Sequence, residues 1–179
     1  MNNILSYKNK NVGVLGVGMS GLAAAKVLLN SSAKVFVFDD FKEKPPTLLE
    51  SSWVNYQRWP WENLCALVVS PWIPINKNIK HKAIKLAEDH NVKIINDIDL
   101  FMQYGPKALI VEINSTNVKS TTVALLHHML KFNKVKSVIG GNFGYPACEI
   151  IDLGNDGVII LELSSYQLDG AKNLSLDMA

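Results

Sequence analysis

Residues Val111 to Thr122 read VEINSTNVKSTT, and the apolar-periodic run Val123 to Leu130 follows directly. A hydrophobic strand gives way to a helix at Lys119, Ser120 and Thr121, the layout of a phosphate-binding loop of the form G-x-x-x-x-G-K-[ST]. Both glycines of that pattern are missing. With Lys119 as the motif lysine, the last glycine position holds Val118 and the first holds Ile113; the nearest alternative first position holds Ser115. Glycines let bare amides curl around phosphate, whereas a β-branched residue at positive φ is an outlier costing roughly 1–3 kcal/mol. Glu112 adds a carboxylate to a strand expected to be buried on both faces. The residue types mark a nucleotide phosphate site, and the substitutions mark it as impaired.

Downstream of this loop, Lys136 to Ile139 reads as a strand followed by the turn Gly140-Gly141-Asn142-Phe143-Gly144. Gly157 to Leu163 (GVIILEL) is the strongest apolar strand, and Glu162 lies inside its carboxyl end. A carboxylate there is costly to bury unless it is paired or holds a metal. Beside a phosphate loop it fits an outer partner of Mg²⁺; a salt-bridged structural role is the alternative. Three strands in about 70 residues are too few to cover both faces of their sheet. The second unit, 106–179, is therefore expected to be incomplete, with apolar edges at 157–163 open to another chain or to aggregation.

Upstream, the strand Asn11 to Leu15 (NVGVL) is followed by Gly16, Gly18 and Gly21 at G-x-G-x-x-G spacing and by a helix over 22–29. A second strand, Lys34 to Phe38, ends at Asp39 and Asp40. This is a mononucleotide-binding βαβ opening, in which a tight glycine turn brings phosphate to a helix N-terminus. Asp39 lies about 18 residues past Gly21, against ~20 expected for a ribose-binding carboxylate. The plainer account is that the glycines serve turn geometry and helix–sheet packing, and that Asp39 caps the next turn. Residues 42–61 read as connection plus a short strand, with Trp53, Trp59 and Trp61 packing on the sheet edge. Leu64 to Val69 (LCALVV) has the continuous apolar run of a parallel strand covered on both faces, and Ser70 to Pro74 forms a rigid loop at its end. A helix over 79–90, a strand over 92–95 and a helix capped by Asn96 or Asp97 and closed by Gly105 complete a unit spanning 1–105. The fold class is α/β: a Rossmann-like parallel-sheet unit, then the start of a P-loop ATPase-like α/β unit.

Composition narrows the function classes. With 179 residues, 48% of them apolar, and a formal charge of +2, the chain suits one large or two small soluble domains. It has no basic block suited to nucleic acid or a membrane surface. No signal-peptide pattern opens it and no apolar run is long enough to span a bilayer, so a cytoplasmic location is the default. Two separated cysteines, Cys65 and Cys148, make neither a disulfide framework nor a zinc motif. An NAD-dependent reading of Gly16, Gly18 and Gly21 calls for a catalytic residue and a substrate domain that the sequence does not offer, and it leaves Lys119 without a task.

Taken in order, VGVLGVGMSGLAAAKVL, VVSPWIP, NDIDLF, STNVKSTTVALL, IGGNFG and LELSSYQL resemble the Mur ligases of bacterial peptidoglycan synthesis, and within them the D-glutamate-adding branch. The resemblance implies three domains, which bind the UDP part of a UDP-muramoyl substrate, ATP, and the incoming amino acid. It also implies ATP-driven phosphorylation of the substrate carboxylate, followed by attack of the amine on the acyl phosphate. Carried onto this sequence, Gly16, Gly18, Met19, Ser20 and Gly21 would lie near the uridine diphosphate, with Asp39 and Asp40 beside the uridine. The 70–74 loop would shape that pocket, and Asn142 would approach substrate or metal-bound phosphate. Asn117, Lys119, Ser120 and Thr121 would hold ATP, with Lys119 on the β- and γ-phosphates. Ser120 or Thr121 would join Glu162 on Mg²⁺, and Lys119 and Glu162 would be the catalytic pair.

The chain departs from that pattern at Ser115 and Val118, which replace glycines, at Glu112, and at Trp72, which stands where the family usually has glycine and is expected to crowd the UDP pocket. The remaining ATPase sheet and the amino-acid domain would fall beyond Ala179. The expectation is therefore an inactive fragment of such a ligase, ATP and Mg²⁺ being cofactors of the intact family. Its ligand would be UDP-N-acetylmuramoyl-L-alanine or another uridine nucleotide, and a separately encoded C-terminal portion is a possible partner. The alternative is a non-catalytic module that binds a UDP-sugar or a protein partner.

Overall fold

Alternating apolar runs and amphipathic stretches build two parallel sheets, each flanked by helices. A computed structural model describes residues 4–75 and 80–179. The first sheet has the order β2-β1-β3-β4, with β1 Asn11–Leu15, β2 Lys34–Phe38, β3 Leu64–Val69 and β4 Lys93–Ile95. The second has the order β5-β7-β6, with β5 Leu109–Ile113, β6 Lys136–Gly141 and β7 Gly157–Glu162. Every pairing within both sheets is parallel. The helices are α1 Met19–Asn30, α2 Lys82–Asp89, α3 Asp97–Tyr104, α4 Lys119–Phe132 and α5 Ser165–Gly170. The chain is thus an α/β protein, as its alternating pattern implies. Among the described residues no helix is long and apolar enough to cross a membrane.

The first βα turn is built by two of its three glycines. Gly16 takes φ +85°, a left-handed conformation that side chains resist. A Cβ at Gly21 would stand 1.9 Å from the Gly16 carbonyl oxygen, so only glycine lets α1 start this close to the turn. Ala23, Ala24 and Ala25 are buried, and they let α1 lie tight against neighbouring layers. Residues 42–61 form three short 3₁₀ turns in place of the expected strand, with a single bridge from Val37 to Trp53. Trp59 and Trp61 are buried, and Gly13 in β1 leaves the room that the Trp59 ring fills. Asn96 caps α3 in a capping box with Asp99, and Gly105 ends that helix at φ +67°. The helix expected from residue 79 begins at Lys82; Ile79 lies outside the described residues.

Two expectations about the second sheet are corrected. Its strongest strand, β7, is central rather than an open edge, and all six of its residues are buried. The small sheet is also covered on both faces. On one side Val123, Leu126 and Leu130 of α4 pack with Val158 and Ile160. On the other, Ile110, Ile159, Leu161 and Leu163 share one apolar cluster with Ala147, Cys148, Ile150 and residues of α1 and α3. Helices of the first unit thus help to cover the sheet of the second. Exposed apolar side chains include Leu125, Met129 and Phe132 on the outer side of α4. At the free side of β5, Ile110 N–H donates to Asp177 Oδ2 (2.8 Å) and Glu112 N–H to the Met178 carbonyl (2.9 Å).

Candidate functional site

A cavity of about 300 Å³ opens where the two sheets' loops meet. From the first unit come Gly18, Met19 and Ser20 at the start of α1, and Ser70, Pro71 and Trp72 after β3. From the second come Lys119, Asn142 and the Ser164–Gln167 segment that starts α5. Of the three turn glycines, Gly18 alone has no neighbour within 4 Å of a built Cβ, and its φ of −70° suits any residue. Neither backbone strain nor packing calls for glycine there. The space it leaves open belongs to the cavity. Trp72 is 83% exposed, and its ring lies 6.3 Å from that of Tyr166 across the mouth.

Met19, Ser20, Trp72, Lys119 and Asn142 are therefore brought together with Gly18, while Gly16 and Gly21 shape the turn behind them. Asp39 and Asp40 do not line the cavity. Asp39 accepts from Val17 N–H (2.6 Å) and Phe41 N–H (2.9 Å), pinning the glycine turn to the end of β2. Asp40 pairs with His81 Nε2 at 2.9 Å, and His81 Nδ1 in turn accepts from Ala83 N–H at the start of α2.

The segment expected to be a phosphate loop brings two of its predicted residues together and turns a third away. Ser120 Oγ donates to Glu162 Oε2 (2.7 Å), and Asn142 Nδ2 donates to Glu162 Oε1 (3.1 Å). A positive φ of 97° at Gly141 lets the turn after β6 approach β7, where a Cβ would meet the Glu162 carbonyl at 2.3 Å. Ser120 and Glu162 form a pair of hard oxygen donors, the chemistry Mg²⁺ prefers while keeping several waters and substrate phosphates as further ligands. They fit that ion and would hold it there, helping to neutralise phosphate charge. Among the described residues no group of three or more His, Cys, Asp or Glu side chains forms a metal cage.

Val118 precedes α4 at φ +63°, so a β-branched residue holds the left-handed position where the motif has glycine. Its side chain is 66% exposed and provides no cap. Lys119 Nζ is turned back onto the Ser115 carbonyl (2.8 Å), and the Ser115 hydroxyl is bonded to the Asn117 carbonyl. Asn117 and Thr121 are exposed and stand outside the cavity lining. Glu112 is buried with Oε1 lacking a hydrogen-bond partner; burial pushes its carboxyl up, against a smaller pull down from Lys119.

Ser70 lies in the 70–74 loop that sequence placed at the pocket, whereas Ser164, Ser165, Tyr166 and Gln167 line the cavity without having been given a role by sequence. A signal was present for two of them. Ser164 and Gln167 have S-x-x-Q spacing, and they form a capping box on α5. Beneath them, Asp97 is 2% exposed and takes Gln167 Nε2 on Oδ2 at 3.3 Å.

No family model matches the chain. Curated relatives named UDP-N-acetylmuramoylalanine–D-glutamate ligase do. That of Wolbachia sp. subsp. Brugia malayi is 39% identical over 169 residues, covering 91% of this chain and 33% of the relative. That of Zymomonas mobilis is 38% identical over 183 residues, covering 93% and 41%. That of Rickettsia prowazekii is 33% identical over 178 residues, covering 97% and 38%. Among solved structures, UDP-N-acetylmuramate:L-alanyl-gamma-D-glutamyl-meso-diaminopimelate ligase from Neisseria meningitides has a similar fold. Its TM-score is 0.50 at 15% identity, over 86% of this chain and 52% of that one. The chain spans about a third of the length of the curated relatives it matches. Over that third of their length it is similar to these D-glutamate-adding ligases, and its fold is similar to that of the Neisseria ligase.

Proposed function

We propose that this chain binds the uridine diphosphate part of UDP-N-acetylmuramoyl-L-alanine in the cavity between its two sheets, and that its phosphate loop, as it stands, does not hold Mg-ATP. The observation that carries the first half is Gly18. It lines a cavity bordered by the α1 N-terminus and Lys119, it needs no glycine for its own conformation, and it leaves bare backbone facing the open space. Main-chain amides at a helix start suit a diphosphate. The second half rests on Val118 at φ +63°, on the Lys119 side chain tied to Ser115, and on the buried Glu112 carboxyl near Lys119.

The activity of the relatives is the ligation of D-glutamate to UDP-N-acetylmuramoylalanine, as their name states. In the reading proposed, this chain retains the substrate-binding part of that chemistry, a cytoplasmic step of peptidoglycan synthesis. Lys119, Ser120, Asn142 and Glu162 are what is left of its ATP-dependent part, and the chain alone makes no amide bond. Residues 1–105 would form the UDP-binding unit and 106–179 the ATP-facing one. Isothermal titration tests the reading with UDP-N-acetylmuramoyl-L-alanine, UDP and inorganic pyrophosphate as separate ligands. Binding of both uridine ligands, tighter than pyrophosphate, is expected. Equal binding of all three would reduce the site to an unspecific anion pocket, and no binding would refute the reading.

A further inference from the structure

Asp97 opens α3 with its side chain buried between the two units. Oδ2 accepts from Gln167 Nε2. Oδ1 is buried without a hydrogen-bond partner among the described residues. A buried unpaired oxygen is uncommon and calls for a reason. The side chain that bonds this carboxyl, Gln167, belongs to the second unit and lies in the cavity lining.

The residues around Asp97 make the same connection. Asn96 Nδ2 donates to the Gln167 carbonyl (2.8 Å), and a Cβ at Gly170 would meet that amide at 3.2 Å. Asp99 Oδ1 accepts from Lys172 N–H and Asn173 N–H, both at 2.9 Å. The turn 96–99 therefore holds α5 at Gln167 and the chain just beyond its end. Gln167 Oε1 accepts from Ser164 N–H (3.1 Å), so the Asp97 contact is passed on to the start of that helix.

We propose that Asp97 is a positioning residue for the ligand of the cavity: by holding Gln167 of the second unit from α3 of the first, it sets the separation of the two walls that grip the diphosphate. A carboxylate does this better than an apolar residue because it accepts from Gln167 Nε2, and burial strengthens that contact. The proposal takes its ligand from the uridine diphosphate reading above.

The test compares Asp97→Ala, Asp97→Asn and Gln167→Met in the full chain by UDP titration and by hydrogen exchange of the 165–170 amides without ligand. Asp97→Ala should weaken UDP binding at least tenfold and speed exchange in α5. Asp97→Asn keeps an acceptor toward Gln167 Nε2 and should restore most of both. Gln167→Met breaks the contact from the other side, and it is read in the same way if Asp97→Ala does not fold. Unchanged UDP affinity in a folded Asp97→Ala or Gln167→Met protein overturns the proposal. If the unmodified chain binds no uridine ligand, the functional reading fails and exchange decides alone: faster α5 exchange upholds the positioning contact, and unchanged exchange overturns it.

Discussion

Ser120 Oγ and Glu162 Oε2 are hydrogen-bonded at 2.7 Å, joining the first turn of α4 to the end of β7 across 42 positions of sequence. Asn142 occupies the other carboxylate oxygen, so the buried Glu162 has a donor on each side. The pair that would serve Mg²⁺ thus also holds the second sheet's loops together. Ser120→Ala removes one donor from a buried carboxylate. It should destabilise the chain by about 1.5–3 kcal/mol, the range for hydrogen bonds to charged groups, as measured by urea unfolding.

Val118→Gly separates backbone strain from ligand binding. Relief of the left-handed strain should outweigh the extra chain entropy of glycine and raise stability by roughly 1 kcal/mol. The same variant should still give no heat with Mg-ATP in a titration, because Ser115, the Lys119 contact and Glu112 are unchanged. Tight Mg-ATP binding by this single variant would show that Val118 is the sole obstruction.

Gly18 and Gly21 should respond in opposite ways to alanine. Gly21→Ala drives a Cβ into the Gly16 carbonyl and should cost about 3 kcal/mol or more, as overpacking with a backbone shift does. Gly18→Ala meets no atom within 4 Å and should leave the melt within about 0.5 kcal/mol, as surface substitutions do. Its methyl group should nevertheless weaken UDP binding, read by titration. An unchanged affinity would place the diphosphate elsewhere.

Glu112 gives a pH-dependent prediction. Its carboxyl is raised above the usual value by burial first, with Lys119 opposing. The folded state therefore holds this proton more tightly than the unfolded state does. Stability from this group is greatest below the unfolded pKa, falls as pH rises through the window up to the folded pKa, and stays reduced above it. Glu112→Leu should accordingly stabilise the chain at pH 7 by roughly 1–3 kcal/mol, the cost of an unsatisfied buried polar group. The gain should shrink at pH 4. A gain independent of pH would mean that packing, not charge, is responsible.

Much of the fold was legible because local burial leaves a local pattern. The runs NVGVL, KVFVF and LCALVV each form the strand their apolar content implies. The placement of β7 at the centre of its sheet was not legible, since its cover comes from α1 and α3, far away in sequence. The spacing of Gly16, Gly18 and Gly21 showed a turn but could not show that Gly18 alone faces open space. Lys119, Ser120 and Glu162 were singled out by their residue types, and the structure brings Ser120 and Glu162 into contact. Asp97 was not, because a helix-start aspartate carries no mark of the Gln167 it meets 70 positions later.

The most direct measurement is a thermal-melt series on the purified chain with UDP-N-acetylmuramoyl-L-alanine, UDP, NAD⁺ and Mg-ATP, each added separately. A ligand that binds only the native state stabilises it by about 2.7 kcal/mol at 100 times its Kd, or roughly 5–10 °C for a chain of this size. The expected result is an upward shift with both uridine ligands and none with NAD⁺ or Mg-ATP. A shift with Mg-ATP comparable to that with UDP would contradict the account, as would a cooperative melt that no uridine ligand moves.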